Sequence, residues 1–167
     1  MAHKALVVYF SWSNGNTEHI AEIAQKALNA DITPIETVVP YPDDYQATVD
    51  QGQQEVNSGF EPDINPIDFD VEDYDIVAIG TPTWWYTMAP AVTTFLHAHT
   101  WNGKTVIPFM TNGGWPGSVI NDIEEACPDA TCTCSLEVRF DSNGGDTMMT
   151  DEADLNRWAD RLKKLVS

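Results

Sequence analysis

Positive charge is what this sequence has least of. Eight Lys and Arg stand against 26 Asp and Glu, for a formal net charge of −18. Between Ala27 and Gly103 there is no Lys or Arg at all, while thirteen carboxylates fall in that stretch. Such a surface repels polyanions, which argues against nucleic acid and anionic membrane as partners. Two uses of the charge stay open: plain solubility, and steering of a basic partner protein. Long apolar runs are also missing, none approaching the roughly 20 residues that cross a bilayer. Met1 to Lys4 runs straight into the first apolar segment and leaves no stretch for a signal peptide, so a cytoplasmic location is expected. Cysteine is scarce: Cys127, Cys132 and Cys134 are too few and too clustered for a disulfide framework and fit a reducing compartment. With no histidine nearby in sequence to complete a ligand set, buried free thiols are expected rather than a metal site.

Catalytic signatures are equally sparse. No Gly-x-Ser-x-Gly elbow occurs, the carboxylates form surface-like runs with no evident acid/base pair, and Cys127 has no base partner. His97 and His99 are two apart, a spacing that splays them on a helix. A chain without its own catalytic groups depends on the chemistry of a bound cofactor.

What is present is alternation of strand and helix over one domain, residues 1–167, with 43% apolar residues, enough for a substantial core. Residues 5–10 form an apolar run that reads as a strand buried on both faces, and Ile20, Ile23, Ala24, Ala27 and Leu28 fall on one face of the helix that follows. Residues 31–36 read as a second strand, with Pro34 suited to an edge. A long connection with a helix near 45–57 leads to a third strand at 75–80, then a helix at 91–97 and a fourth strand at 105–110. Pro108 is awkward for a central strand. A helix at 117–126 and a fifth strand at 131–140 come next, the latter alternating cleanly with Cys132, Cys134, Leu136, Val138 and Phe140 on one side. The last helix, from about Asp151, places Leu155, Trp158, Ala159, Leu162, Leu165 and Val166 on one stripe. This pattern predicts an α/β three-layer sandwich, a five-stranded parallel sheet in order 2-1-3-4-5 with helices on both faces. Ligands in such folds bind beyond the carboxyl ends of the strands at the switch point, here between the first and third strands.

Three loops converge there. The first, Ser11-Trp12-Ser13-Asn14-Gly15-Asn16-Thr17, joins a strand to a helix N-terminus, where free amides and the helix dipole favour phosphate. It lacks the lysine of nucleotide-triphosphate loops, so a phosphate there is held by hydroxyls and amides alone. The second, Thr81-Pro82-Thr83-Trp84-Trp85-Tyr86-Thr87, carries consecutive large aromatics, either a cover for the sheet end or an oligomer contact, or a platform for a flat ligand. The third, Thr111-Asn112-Gly113-Gly114-Trp115-Pro116-Gly117-Ser118, reads as a long turn or as a wall that lets backbone approach a ligand closely.

Residues 7–17, 80–85 and 108–114 together resemble flavodoxin and its flavodoxin-like relatives, in order and across essentially the whole chain. The resemblance implies a bound FMN. Ser11, Ser13, Asn14, Gly15, Asn16 and Thr17 would hold its phosphate. Pro82, Thr83, Trp84 and Trp85 would border the ring system with Tyr86 nearby, and Thr111, Asn112, Gly113 and Gly114 would line its other side. The first loop spans seven residues where the family pattern has six, as though Asn14 were inserted. The Trp84-Trp85 and Gly113-Gly114 pairs are more similar to a bacterial flavodoxin-like branch than to the small electron carriers.

On this resemblance the chain is expected to be an FMN redox protein that accepts and passes on electrons, as a monomer or homodimer. A redox partner protein or a small-molecule donor or acceptor would exchange them. The alternative is an NAD(P)H-dependent quinone or small-molecule reductase, against which the scarcity of basic residues counts; Arg139 is the isolated candidate for a 2′-phosphate contact. A third class keeps the fold without the cofactor, but would leave the aromatic loops as an exposed apolar patch.

Overall fold

The structure, a computed structural model, describes residues 4–12, 15–142 and 145–166. Strand β1, Ala5–Tyr9, is buried on both faces, as its unbroken apolar run dictates. Helix α1, Asn16–Leu28, buries Ile20, Ala21, Ala24, Ala27 and Leu28 and ends where Asn29 turns left-handed at φ 50°. Edge strand β2, Asp31–Pro34, pairs with β1 alone and so tolerates its proline. In the long connection, α2, Tyr45–Ser58, starts where the Asp44 carboxylate accepts from the Ala47 amide at 2.8 Å and stops at Gly59, φ 68°.

Strand β3, Ile76–Trp84, runs four residues past the expected end at Gly80 and folds back as β4, Thr87–Met88. The predicted loop is thus largely a β-hairpin. Helix α3, Pro90–His97, opens with proline at its first position. Then come β5, Thr105–Asn112, helix α4, Val119–Ala126, two short strands β6, Thr131–Cys132, and β7, Leu136–Arg139, and helix α5, Glu152–Val166.

The parallel order is β2-β1-β3-β5, with β6 and β7 both on the far side of β5. That is the expected order, but among the described residues the sheet has seven strands, not five. The two extra strands are β4 and a fifth strand broken in two. Val106 pairs with Cys132 and Phe109 with Leu136, so four steps on the edge strand face three on β5. The extra residue is absorbed where Cys134 takes φ 55°. The predicted one-sided alternation fails here: Cys132 packs with the α3/α4 layer, whereas Cys134, Leu136, Val138 and Phe140 pack with the α1/α5 layer. The same break accommodates Pro108. Val106 and Asn112 accept from Thr133 and Phe140 amides on the edge side, so strand alternation aims the Pro108 nitrogen at that side too, where no strand pairs with it.

Two cores flank the sheet. Ile20, Ala24, Leu155, Trp158 and Leu162 cover one face from α1 and α5; Val92, Phe95, Leu96, Val119 and Ile123 cover the other from α3 and α4. Cys127, Cys132 and Cys134 are free thiols, the first buried and the others half-buried. No helix among the described residues is long and apolar enough to cross a membrane.

Candidate functional site

The carboxyl ends of β1, β3 and β5 surround a cleft of about 390 Å³. Its floor and walls include Asn16, Pro82, Thr83, Trp84, Trp85, Tyr86, Thr111, Asn112 and Gly113, nine residues drawn from all three predicted loops. Ser11, Gly15, Thr17 and Gly114 do not line it, and Ser13 and Asn14 lie outside the described residues.

At the first loop, Gly15 caps α1 in the left-handed conformation, φ 74°, and no side chain caps the helix among the described residues. The first amides of α1 therefore keep their hydrogens for another acceptor, reinforced by the dipole. Ser11 Oγ is fully buried and has no hydrogen-bond partner among the described residues. A buried hydroxyl without a partner costs roughly 1–3 kcal/mol, so it marks a place where a partner is missing. Thr17 is buried, and its hydroxyl meets that of Thr111 at 2.8 Å, joining the first loop to the third. One proton closes that bond; the other remains available to donate.

Trp85 and Tyr86 form the tip of the β3–β4 hairpin with φ 51° and 69°. Two positive φ values in a two-residue connection mark a type I′ turn, a geometry Asn-Gly adopts readily and bulky residues do not. Each left-handed residue without glycine's freedom costs on the order of 1–2 kcal/mol. The tip is clamped from both sides. The Trp85 indole donates to the Val49 carbonyl of α2 at 3.0 Å, and the Ser118 amide donates to the Tyr86 carbonyl at 2.8 Å. Gly117, φ 60°, passes so close that a Cβ there would lie 2.1 Å from the Tyr86 oxygen.

Asn112 commits its side chain to its own loop and to β7: Oδ1 accepts from the Gly114 amide at 2.7 Å and Nδ2 donates to the Val138 carbonyl at 3.3 Å. Gly114 adopts φ 116° and packs under the Arg139 guanidinium.

Several lining residues were not among the predicted ones. Helix α2 contributes Tyr45, Thr48, Val49 and Gly52, a spacing of i, i+3, i+4, i+7 that is one helix face, but one with little apolar signal. Gly52 lets α2 lie on Trp84, whose ring atom would sit 3.2 Å from an added Cβ. Trp12 stacks at a tilt on Tyr45, 5.8 Å between centroids, tying the first loop to α2. Phe140, Asp141 and Gly145 come from the segment after β7, where the Gly145 carbonyl accepts from Asn16 Nδ2 at 3.0 Å. The Gly-rich run 144–145 was the signal for that fourth wall. Behind Trp84, the Tyr41 ring packs edge-on at 4.9 Å and its hydroxyl donates to buried Glu55 at 2.7 Å. Burial, then that bond, push the Tyr41 hydroxyl up from its ordinary value, so it stays neutral as packing for the wall. Among the described residues no Lys or Arg lines the cleft, and Asp141 is its one carboxylate.

The cleft thus joins an uncapped helix N-terminus to an aromatic-walled slot at the switch point of a doubly wound sheet. Comparison with sequence families gives a match to the one described as Flavodoxin over residues 4–159. The chain belongs to the flavodoxin family. Among solved structures, the chain resembles a protein of Bacteroides eggerthii described as a flavoprotein, at 30% identity and TM-score 0.75 over 96% of this chain and 98% of that one. A Lactobacillus acidophilus flavoprotein crystallised in complex with FMN shares the fold at 21% identity and TM-score 0.70, over 95% of this chain and 99% of that one. An archaeal flavodoxin shares it at 18% identity and TM-score 0.56, over 97% and 98%. No curated protein matches the sequence.

Proposed function

We propose that the cleft holds FMN and that the protein transfers electrons through it. The observation that carries this reading is the buried Ser11 hydroxyl, without a hydrogen-bond partner among the described residues, in the loop leading to an α1 N-terminus that no described side chain caps and whose Asn16 lines an aromatic-walled slot. These groups suit a phosphate bound without a cation, and the slot suits a flat ring. The FMN complex of the Lactobacillus acidophilus relative supports it. FMN, when bound, supplies reversible one- and two-electron chemistry.

The chain's own part is binding and enclosure. Ser11, Gly15, Asn16 and Thr17 offer hydroxyls and amides to the phosphate, with Ser13 and Asn14 in the same loop. Trp84, Trp85 and Tyr86 would border the ring together with Pro82 and Thr83, and Thr111, Asn112, Gly113 and Gly114 would line its other side. Asn112 holds its loop, so that wall presents mainly backbone. Electrons come and go through a redox partner protein or a small-molecule donor or acceptor, in a protein working in the cytoplasm. Among the described residues no Lys or Arg lines the cleft, which favours this carrier role over a dedicated NADPH-dependent reductase.

An absorbance spectrum of the purified protein, before and after adding FMN, tests the reading. Flavin bands that stay with the protein through gel filtration are expected. No flavin, together with unquenched flavin fluorescence on mixing, overturns it. Steady NADH or NADPH oxidation with a quinone acceptor identifies a reductase; slow turnover with fast exchange to a partner reductase identifies a carrier.

A further inference from the structure

The left-handed aromatic tip of the β3–β4 hairpin does not hold itself. Both its residues sit where large side chains are disfavoured, so neighbouring groups must enforce the turn. On the α4 side that enforcement converges on one carboxylate. Asp122 Oδ2 accepts from Thr87 Oγ1 at 2.5 Å and from Ser118 Oγ at 2.7 Å. Thr87 is the residue directly after the tip, and the Ser118 amide is the donor that holds the Tyr86 carbonyl. The Ser118 hydroxyl has one proton, and the shorter contact to Asp122 takes it in preference to the 3.3 Å approach to Tyr86. One oxygen therefore fastens both the exit of the turn and the group that grips its carbonyl.

We infer that Asp122 is a positioning residue for the cleft: through Thr87 and Ser118 it keeps Trp85 and Tyr86 in the left-handed turn that lets them wall the ligand. Asp122 is not among the residues that line the cleft. Its role in cofactor binding rests on the FMN reading above, while its hold on the tip does not.

The consequence for binding is preorganisation. A tip already in place gives its stacking surface at no further ordering cost, and a loosened tip must be ordered by the ligand itself. Substituting Asp122→Ala removes both acceptors, whereas Asp122→Asn keeps a carbonyl oxygen able to accept from both hydroxyls.

The test uses the full chain with three readouts. In the protein without cofactor, hydrogen exchange of the Trp85 indole N–H, bonded to Val49, is expected to speed up in D122A and stay slow in D122N. FMN titration is expected to give a dissociation constant roughly tenfold weaker in D122A and close to the parent in D122N. Combining D122A with W85N/Y86G, which installs residues that adopt the turn unaided, is expected to make the D122A effect on urea unfolding and FMN binding small, a non-additive cycle. Unchanged indole exchange in D122A overturns the inference, as does fast exchange with unchanged FMN affinity, or equal loss in D122A and D122N. A parent protein that binds no FMN overturns the cofactor reading separately, and the indole exchange still decides whether Asp122 holds the tip.

Discussion

Ser11 is the residue at which stability and binding pull apart. Its buried hydroxyl has no partner among the described residues, so the protein without ligand carries a desolvation cost that a bound acceptor or donor relieves. Ser11→Ala is expected to leave the cofactor-free protein as stable or more stable, by up to about 1 kcal/mol, while weakening FMN binding several-fold. Urea unfolding of the two cofactor-free proteins and parallel FMN titrations check both halves. A clear loss of stability in S11A means the hydroxyl already has a partner. Thr17 contrasts with it, because its hydroxyl is engaged with Thr111 and its removal opens the seam between two loops whether or not ligand is present.

At the level of elements, the hairpin tip and the start of α4 depend on each other's shape. Gly117→Ala places a Cβ against the Tyr86 carbonyl in a left-handed residue, which no rotamer relieves. It is expected to cost roughly 1–3 kcal/mol of stability and to weaken FMN binding, both read from unfolding curves and titration. The order of strands and helices was legible in the sequence because each long element carries a strong period: α5 presents Leu155, Trp158 and Leu162 inward, and β1 is apolar throughout. The three loops were legible through unusual residues at strand ends. The hairpin was not, because Trp-Tyr is no turn signal and only the tertiary clamp forces it. The α2 wall was hidden for another reason: its cleft-facing residues, Tyr45, Thr48, Val49 and Gly52, serve a ligand slot rather than a core, so their periodicity is not hydrophobic. The broken fifth strand escaped because its apolar alternation survives on paper while one extra residue turns Cys132 to the opposite layer.

Across the whole molecule, buried thiol and phenol groups make the folded state weaker at high pH. Burial, with Cys132 adding to it, pushes the Cys127 thiol up from an ordinary 9.0 to about 12, and burial raises Tyr41 as well. Because the folded chain holds these protons more tightly than the unfolded one, their contribution is complete below the unfolded value near 9 and is lost as pH rises toward 12. Urea midpoints measured at about pH 8 and about pH 11 are expected to fall at the higher value, at constant ionic strength. A flat midpoint means the thiol and phenol are more accessible than their packing indicates. The same molecule-wide view gives the sheet's two ends a common meaning. One edge is a four-residue strand closed by Pro34; the other is cut into pieces of two and four residues by the left-handed Cys134. Neither offers a long open ladder on which a second chain can add strands, so the fold discourages its own fibrillar growth while leaving its carboxyl-end cleft free.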